Sequence, residues 1–115
     1  MDCIFCKIAS GEIPSEKVYE SGKILAFKDI NPVAPEHILI IPKKHISNIE
    51  ELSVDDSADI AELLFAAKEI AREHVLNDKG YRLIINNGRA AGQEVLHLHV
   101  HIIGGKDYLG PMITK

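Results

Sequence analysis

Residues 96–105 read LHLHVHIIGG, so three histidines alternate with apolar residues up to Ile102, and two glycines end the run. Such alternation predicts a β-strand with one buried face. Successive side chains of a strand point to opposite faces, which puts His97, His99 and His101 together on one of them. With a rise of ~3.3 Å per residue, neighbouring imidazoles on that face are roughly 6–7 Å apart. All three can therefore meet one small ligand, such as a phosphoryl group or a metal ion.

The rest of the apolar pattern predicts short strands and one long helix. Residues 3–9 favour a short amphipathic helix. Behind Ser53, a suitable N-cap, a helix of roughly twenty residues should end before Asn77. Its apolar stripe consists of Ile60, Leu63, Leu64, Ala67, Ile70, Ala71 and Val75. Strands are expected at residues 17–20, 24–30, 37–42 and 81–86. Hairpin-linked strands around one helix predict a single α+β domain over residues 1–115, with an antiparallel sheet of about five strands.

The composition limits the classes of function. The chain has 115 residues and a formal net charge of −4, which disfavours binding to DNA or RNA because a polyanion needs a basic surface. The N-terminus has no basic segment followed by a long apolar one, and no apolar run approaches the ~20 residues that span a bilayer. A cytoplasmic protein is therefore expected, with no membrane partner. In that setting the spacing of Cys3 and Cys6 indicates a metal site or a redox pair rather than a structural disulfide.

The loop before the histidines, residues 86–94, contains Gly88 and Gly92 among small residues. Such loops can turn several backbone N–H groups towards an anion. A phosphate held there would lie beside His99, and a neutral imidazole is a competent nucleophile near neutral pH because its unperturbed pKa is about 6.5. Attack on phosphorus would give a phosphohistidine-type intermediate, with a second histidine protonating the leaving group. This chemistry needs no catalytic metal.

Residues 97–103, HLHVHII, resemble the signature of the histidine triad (HIT) superfamily, in which histidine and an apolar residue alternate three times. Within that superfamily the chain is similar to the Hint proteins, purine nucleoside phosphoramidases that hydrolyse adenosine 5′-monophosphoramidate and related nucleotidyl conjugates. The resemblance implies a HIT-like fold with a long helix and a short N-terminal helix, and a homodimer whose two sheets join into one. The agreement continues in order along nearly the whole chain, through IF at 4–5, EIP at 12–14, AF at 26–27, IPKKH at 41–45, GYR at 80–82, GQ at 92–93 and GG at 104–105.

The resemblance also implies roles for individual residues. His99 matches the nucleophile that takes the nucleotidyl group, His101 matches the partner that contacts phosphate and assists proton transfer, and His37 matches a further histidine of the cluster. Asp29 matches the carboxylate that binds the ribose hydroxyls, with Ile30 beside it against the base. The positions on the phosphate side are Asn86, Gly92, Gln93 and Glu94.

Three features depart from the family pattern. Glu94 stands where the animal Hint proteins have a serine that contacts phosphate. Because a carboxylate repels phosphate, only the backbone N–H of Glu94 is expected to serve there. Leu96 replaces the aromatic residue that usually precedes the triad. The tail, residues 108–115, lacks the terminal tryptophan segment of the animal proteins, so the leaving group of the substrate is left open.

The two cysteines supply half of a tetrahedral zinc site, and alone they could equally be two buried apolar thiols. A subset of the superfamily resembles this chain in pairing such cysteines with two histidines around zinc. By position, the four ligands would be Cys3, Cys6, His45 and His97. Four protein ligands close the coordination shell, so the implied zinc is structural, and no catalytic metal or organic cofactor is expected. Without zinc, His97 is expected to set the tautomer of His99.

Four functions stay open at this point. The leading prediction is a hydrolase or transferase that binds a purine nucleotide and forms a nucleotidyl-His99 intermediate. A dinucleoside polyphosphate hydrolase of the same superfamily differs only in its leaving group. A zinc-dependent hydrolase would use two or three triad histidines as ligands, but the complete Cys₂His₂ set needs only one of them. A nucleotide-binding protein or scaffold without turnover would have no need for a nucleophile.

Overall fold

The computed structural model describes residues 3–113; residues 1, 2, 114 and 115, and with them the ends of the expected domain and tail, lie outside the described residues. The helices are α1 (Ile4–Ser10) and α2 (Ser57–Glu73). The strands are β1 (Lys17–Glu20), β2 (Ile24–Lys28), β3 (Glu36–Pro42), β4 (Arg82–Ile84) and β5 (Val100–Gly104). They form one antiparallel sheet in the order β1-β2-β3-β5-β4. The predicted fold class is therefore confirmed.

Alternation along the central strands divides the core between the two faces of the sheet. On one face the strands pack against α2, and this half of the core contains Ile24, Ala26, Ile38, Ile40, Leu63, Ala66, Ala67, Ile70, Ala71, Leu76, Val100 and Ile102. On the other face they pack against α1, and this half contains Phe5, Ile8, Leu25, Phe27, Leu39 and Ile41. Leu39 lies opposite His101 in the β3–β5 ladder. The imidazole of His101 is therefore on the α1 face.

Helix α2 follows the cap that the sequence predicts. The chain is extended at Ser53 and then makes a short 3₁₀ turn, Val54–Asp56, that leads directly into the helix. The Asp56 carboxylate accepts a hydrogen bond from the Ser53 backbone N–H at 3.0 Å and pairs with Lys44 Nζ at 2.6 Å. The first contact satisfies a backbone donor that the start of a helix leaves free, and the second neutralises the buried carboxylate. In the described part of the chain, neither helix has both the length and the apolar character that crossing a bilayer requires.

The predicted apolar stripe of α2 is wrong at two positions. Leu64 and Val75 are 51% and 65% exposed. Ala66 is buried instead of Leu64, because the residues that face the sheet are spaced at 63, 66, 67, 70 and 71, and small alanines let the helix approach closely. Val75 lies beyond the helix end and has a φ of 58°, so the chain turns there and Leu76 enters the core in its place.

The histidine strand is shorter than the alternation predicts. Strand β5 begins at Val100, and His97 lies in a bend before it. In that segment the Leu98 N–H donates to the Ile46 carbonyl oxygen at 2.6 Å, outside the sheet ladder. Both the apolar residues at 98, 100 and 102 and the histidines at 97 and 99 are buried, because α1 covers the face of the sheet that carries the histidines. The predicted strands at 24–30 and 81–86 also end earlier, at Lys28 and Ile84.

Gly105→Ala should destabilise the protein more than Gly80→Ala does. Both glycines have a positive φ, +92° and +101°, which an L residue adopts only with strain. A Cβ at Gly105 would also lie 3.0 Å from Pro35 Cβ and 3.3 Å from the Glu36 backbone nitrogen, whereas one at Gly80 would meet nothing within 4 Å. We expect losses in the free energy of unfolding of about 2–4 kcal/mol and about 1 kcal/mol, measured by urea denaturation. Equal losses would show that the close approach at Pro35 has no energetic role.

Candidate active site and metal centre

A cavity of about 610 Å³ opens on the α1 face of the sheet. One part of its wall is apolar, formed by Ile4, Phe5, Ile8, Ile13, Phe27 and Leu39. The other part is polar. Among the residues proposed from the sequence to bind nucleotide or react with it, those that line the cavity are Asp29, Ile30, Asn86, Gly92, Glu94, His99 and His101. An apolar slot that leads to a few polar groups is the usual form of a small-molecule site.

The tautomer of His99 is fixed by the backbone. His99 Nδ1 lies 2.7 Å from the carbonyl oxygen of His97. A carbonyl oxygen only accepts hydrogen bonds, so Nδ1 carries the proton and Nε2 of the neutral ring keeps its lone pair. The Phe5 ring packs edge-on against this imidazole, with 5.1 Å between ring centroids. The result is a buried, oriented imidazole with a nucleophilic nitrogen.

Two hydrogen bonds in series fix the tautomer of His101, and they put its proton on the other ring nitrogen, Nε2. The Val33 backbone N–H donates to His37 Nδ1 at 3.1 Å, so neutral His37 carries its proton on Nε2. His37 Nε2 lies 2.8 Å from His101 Nδ1 and donates to it. Neutral His101 is then protonated on Nε2. Burial, with smaller contributions from the charges of His99 and His37, lowers the pKa of His101 to about 4, so this ring is neutral at physiological pH.

The proline-containing turn between β2 and β3 brings Asp29 to this relay. Asp29 Oδ1 accepts a hydrogen bond from the Asn31 backbone N–H at 2.8 Å, an Asx-type turn. Its other oxygen, Oδ2, lies 3.4 Å from His37 Nε2. Asp29 thus lines the cavity with a carboxylate that is only partly engaged. The neighbouring Ile30 is 91% exposed, so its apolar side chain lies free at the cavity entrance.

The loop before the triad is organised by the side chain of Gln93. Its Oε1 accepts from the Gly88 N–H at 2.9 Å, and its Nε2 donates to the carbonyl oxygens of Ser47 at 2.8 Å and Val95 at 3.1 Å. These three bonds use both amide hydrogens and the oxygen, and Gln93 is not among the residues that line the cavity. Gln93 therefore shapes the loop that presents Gly92 and Glu94.

Four predicted metal ligands converge beside the triad. The donor atoms of Cys3, Cys6, His45 and His97 all lie within 4.8 Å of one another. His97 Nδ1 is 3.3 Å from Cys3 Sγ and 3.6 Å from Cys6 Sγ, and Cys6 Sγ is 3.3 Å from His45 Nδ1. Tetrahedral zinc bonds of ~2.3 Å to sulfur and ~2.0 Å to nitrogen require ligand separations of roughly 3.5 Å. This cluster could bind a metal ion.

The second ring nitrogen of His97 supports the same conclusion. His97 Nε2 donates to the Pro42 carbonyl oxygen at 2.7 Å, so Nδ1 keeps its lone pair and points at the two thiols. Histidine ligands of metals usually donate their other N–H to such an acceptor. In the metal-free protein, burial raises the pKa of the Cys6 thiol and lowers the pKa of His97. A bound cation reverses the effect on the thiol, because it favours the thiolate.

A second cluster of possible ligands fits a metal less well. Oxygen and nitrogen atoms of Asp29, His37 and His101 also lie within 4.8 Å of one another. His37, however, accepts a hydrogen bond at Nδ1 and carries its proton on Nε2, so it has no lone pair to offer. This cluster is a hydrogen-bond relay.

The most important contacts of the site come from groups that the sequence analysis did not select. The Val33 N–H, the Pro42 carbonyl and the His97 carbonyl fix the tautomers of His37, His97 and His99. Backbone N–H and carbonyl groups occur along the whole chain apart from the N–H that proline lacks, so residue type does not indicate which of them has such a role. The proline-rich stretch 31–35 was the one available signal, since it predicts a turn against the following strand.

The low pKa of His101 makes stability depend on pH. The unfolded chain binds a proton on this residue near pH 6.5 and the folded chain only near pH 4. The stabilisation is therefore complete above pH 6.5 and is lost as the pH falls towards 4, by about 2–3 kcal/mol after allowing for solvent screening. Urea unfolding between pH 4 and 7 should show a shallower dependence in His101→Asn than in wild type, with the metal site in the same state. Parallel curves would contradict the assignment.

Comparisons with known proteins identify the family of the chain. The family model of the HIT domain matches residues 10–108. The purine nucleoside phosphoramidase of Escherichia coli K12 is 43% identical over 113 residues, which cover 98% of this chain and 94% of that protein. A HIT family hydrolase from Clostridium thermocellum is 48% identical, with a TM-score of 0.92 over 98% of this chain and 97% of that one. A histidine triad protein from Clostridium difficile is 47% identical, with a TM-score of 0.92 over 97% of each chain. This chain belongs to the HIT domain family.

Proposed function

We propose that this protein hydrolyses purine nucleoside 5′-phosphoramidates, of the adenosine 5′-monophosphoramidate type, through a covalent nucleotidyl-His99 intermediate. The observation that carries the proposal is the hydrogen bond from His99 Nδ1 to the His97 carbonyl oxygen. It leaves Nε2 as a nucleophile in a ring that lines a cavity of about 610 Å³, enough for a nucleotide. The Escherichia coli relative is named a purine nucleoside phosphoramidase, which supports the same reaction class here.

The reaction proceeds in two displacements. His99 Nε2 attacks phosphorus, a bond between Nε2 and phosphorus forms, and the bond from phosphorus to the amine nitrogen breaks. The leaving nitrogen takes a proton from His101. Water then attacks phosphorus, the bond to His99 breaks, and the proton lost by water returns to His101. One water is consumed, and a nucleoside 5′-monophosphate and an amine are released.

His101 suits both its roles because its charge depends on the ligand. In the free protein its pKa is about 4, and the neutral ring presents Nε2–H as a hydrogen-bond donor. An anionic phosphoryl group beside the ring raises that pKa, since an opposite charge favours the imidazolium. Substrate binding thus favours a second proton on His101, at Nδ1, and the resulting imidazolium gives its Nε2 proton to the leaving nitrogen and remains a neutral ring. His37 acts behind it by holding its orientation.

The cavity suits a nucleoside monophosphate along its length. The apolar part takes the purine, with Ile30 covering it at the entrance. The Asp29 carboxylate accepts hydrogen bonds from the ribose hydroxyls, as a carboxylate beside a vicinal diol should. The phosphate is held at the polar part, by Asn86 and by backbone N–H groups of Gly92 and Glu94, while Gln93 supports the loop. The phosphate then lies within reach of both His99 and His101, whose ring centroids are 5.1 Å apart.

A structural zinc ion is the second part of the proposal. Cys3, Cys6, His45 and His97 would hold it, and their chemistry fits because two sulfurs and two nitrogens complete a tetrahedron. A closed shell leaves no position for water or substrate, so the ion would supply folding energy and link α1 to the triad. In the cytoplasm, the setting we propose, the cysteines stay reduced and available as ligands.

We also propose a homodimer formed through the β4 edge of the sheet. Within residues 3–113, strand β4 pairs with β5 alone, so its other side is a free edge of the sheet. Exposed apolar side chains accompany this edge and the outer face of α2, namely Leu64, Phe65, Leu83 and Ile85. Pairing of two such edges would bury these side chains and join the two sheets into one.

His99→Ala should abolish the covalent intermediate. Wild-type protein mixed briefly with an adenylate phosphoramidate and quenched at high pH should gain one adenylyl group in intact-protein mass spectrometry. The variant should gain none and lose roughly a thousandfold or more in turnover. His74→Asn is the matched control, because His74 follows the last residue of α2, pairs with Glu36 and does not line the cavity. Persistent adduct formation in His99→Ala would move the nucleophile elsewhere, and an adduct-free wild type with no turnover would favour a nucleotide-binding protein.

Loss of the cysteine ligands should remove the metal and lower stability. Elemental analysis of native protein should give one zinc per chain, and the double variant Cys3→Ser/Cys6→Ser should retain almost none. Its free energy of unfolding should fall by several kcal/mol, because metal binding is coupled to folding. A chelator should lower the melting temperature while turnover persists at temperatures where the fold survives. Immediate loss of turnover in a still-folded protein would instead indicate a catalytic metal.

A further inference from the structure

The charges that line the cavity are predominantly negative. Three carboxylates contribute to the lining, those of Glu16, Asp29 and Glu94. Lys28 is the only Lys or Arg residue among the described residues that line it, and its Nζ lies 3.0 Å from Glu16 Oε2. This pair is therefore neutral as a unit. A substrate with several phosphates would find no uncompensated cation here, although cations are what polyphosphate sites usually provide.

Of the three carboxylates, that of Glu94 is the one that no described side chain neutralises. Asp29 is engaged with Asn31 and His37, and Glu16 is paired with Lys28. The Glu94 side chain is exposed, and within residues 3–113 no side chain forms an ion pair or hydrogen bond with its carboxylate. It lies on the same loop as Gly92 and lines the same cavity as His99. Its charge acts on whatever is attached to phosphorus.

We propose that Glu94 determines leaving-group specificity, favouring phosphoramidates whose leaving amine carries a second, positively charged group and disfavouring anionic leaving groups. This inference rests on the proposed function and names its substrate class. In the first displacement the bond between phosphorus and the amine nitrogen breaks, the nitrogen takes the proton from His101, and the nucleotidyl group passes to His99 Nε2. The distal ammonium takes no part in bond changes. It is attracted by the Glu94 carboxylate in the bound substrate and at the transition state.

The negative charge of Glu94 disfavours the alternative substrate class, the dinucleoside polyphosphates. A dinucleoside polyphosphate releases a nucleoside polyphosphate, which carries several negative charges past Glu94. Like charges repel even at a partly exposed site, where one ion pair changes affinity by a few-fold. A diamine, by contrast, leaves with its distal ammonium beside a carboxylate that has no other partner. Charge complementarity of this kind sets specificity more than affinity.

The test uses three adenosine 5′-phosphoramidates of equal chain length that differ only in the charge at the far end of the leaving group. The amines are 1,5-diaminopentane, pentylamine and 5-aminopentanoate, with a distal ammonium, methyl and carboxylate. Values of kcat/KM are measured for wild type, Glu94→Gln and Glu94→Lys. Glu69→Gln is the matched control, because it removes the same charge from an exposed position on α2, across the sheet from the cavity.

Wild type should prefer the cationic substrate. Relative to the neutral substrate, Glu94→Gln should lower the kcat/KM of the cationic substrate about threefold and raise that of the anionic substrate about threefold. Glu94→Lys should reverse the order, and all differences should shrink at high salt because exposed charges are screened. Glu69→Gln should keep the wild-type ratios.

Two results would overturn the inference in distinguishable ways. If wild type cleaves the neutral substrate but the three ratios are unchanged in Glu94→Gln and Glu94→Lys, Glu94 is a solvent-facing residue without influence and the proposed function stands. If wild type cleaves none of the three, the proposed function itself fails and the inference fails with it.

Discussion

The buried imidazole of His97 connects the two halves of the site. It is fully inaccessible to solvent, and both of its ring nitrogens are committed, Nε2 to the Pro42 carbonyl and Nδ1 to the thiols of Cys3 and Cys6. Its own carbonyl accepts the proton of His99 Nδ1. A displacement of this one residue would therefore change both the metal-ligand cluster and the tautomer of His99. Burial makes such a displacement costly, because each of these polar groups would lose its partner where water cannot replace it.

Helix α1 also connects the metal-ligand cluster with the triad histidines, although it has only seven residues. A helix of this length has little stability of its own and depends on tertiary contacts. Phe5 provides them, since its ring packs edge-on against Phe27, His97 and His99. The cysteines at its first turn face the histidine ligands. The helix thus closes the second face of the sheet, and a metal ion held by the cluster would fasten it there.

The sequence predicted the order of the helices and strands and seven of the residues that line the cavity, because both depend on side-chain type. A nearly continuous apolar run at 37–42 and the alternation that ends at 102 located the two central strands, and the chemistry of histidine and aspartate identified polar residues of the cavity. Alternation could not show that His97 precedes the strand, since a bend with both sides buried has the same pattern of residue types. The Gln93 side chain was expected on the phosphate side, yet its three hydrogen bonds commit it to the loop. Contacts with distant backbone carbonyls are properties of the folded chain, and residue type does not encode them.

His99 and His101 are neighbours on one face, with 5.1 Å between their ring centroids, yet the fold gives them opposite polarity. His99 donates its Nδ1 proton to a carbonyl and keeps a lone pair on Nε2, whereas His101 accepts at Nδ1 and keeps a proton on Nε2. Two histidines with the same tautomer could not supply both groups. Two lone pairs would include no proton donor, and two N–H groups would include no nucleophile for a displacement at phosphorus. The asymmetry originates in two backbone groups, a carbonyl beside one ring and, through His37, an N–H behind the other. Since neither can change its hydrogen-bonding sense, the free protein presents a lone pair from one ring and an N–H group from the other, the two groups that the proposed displacement at phosphorus would use.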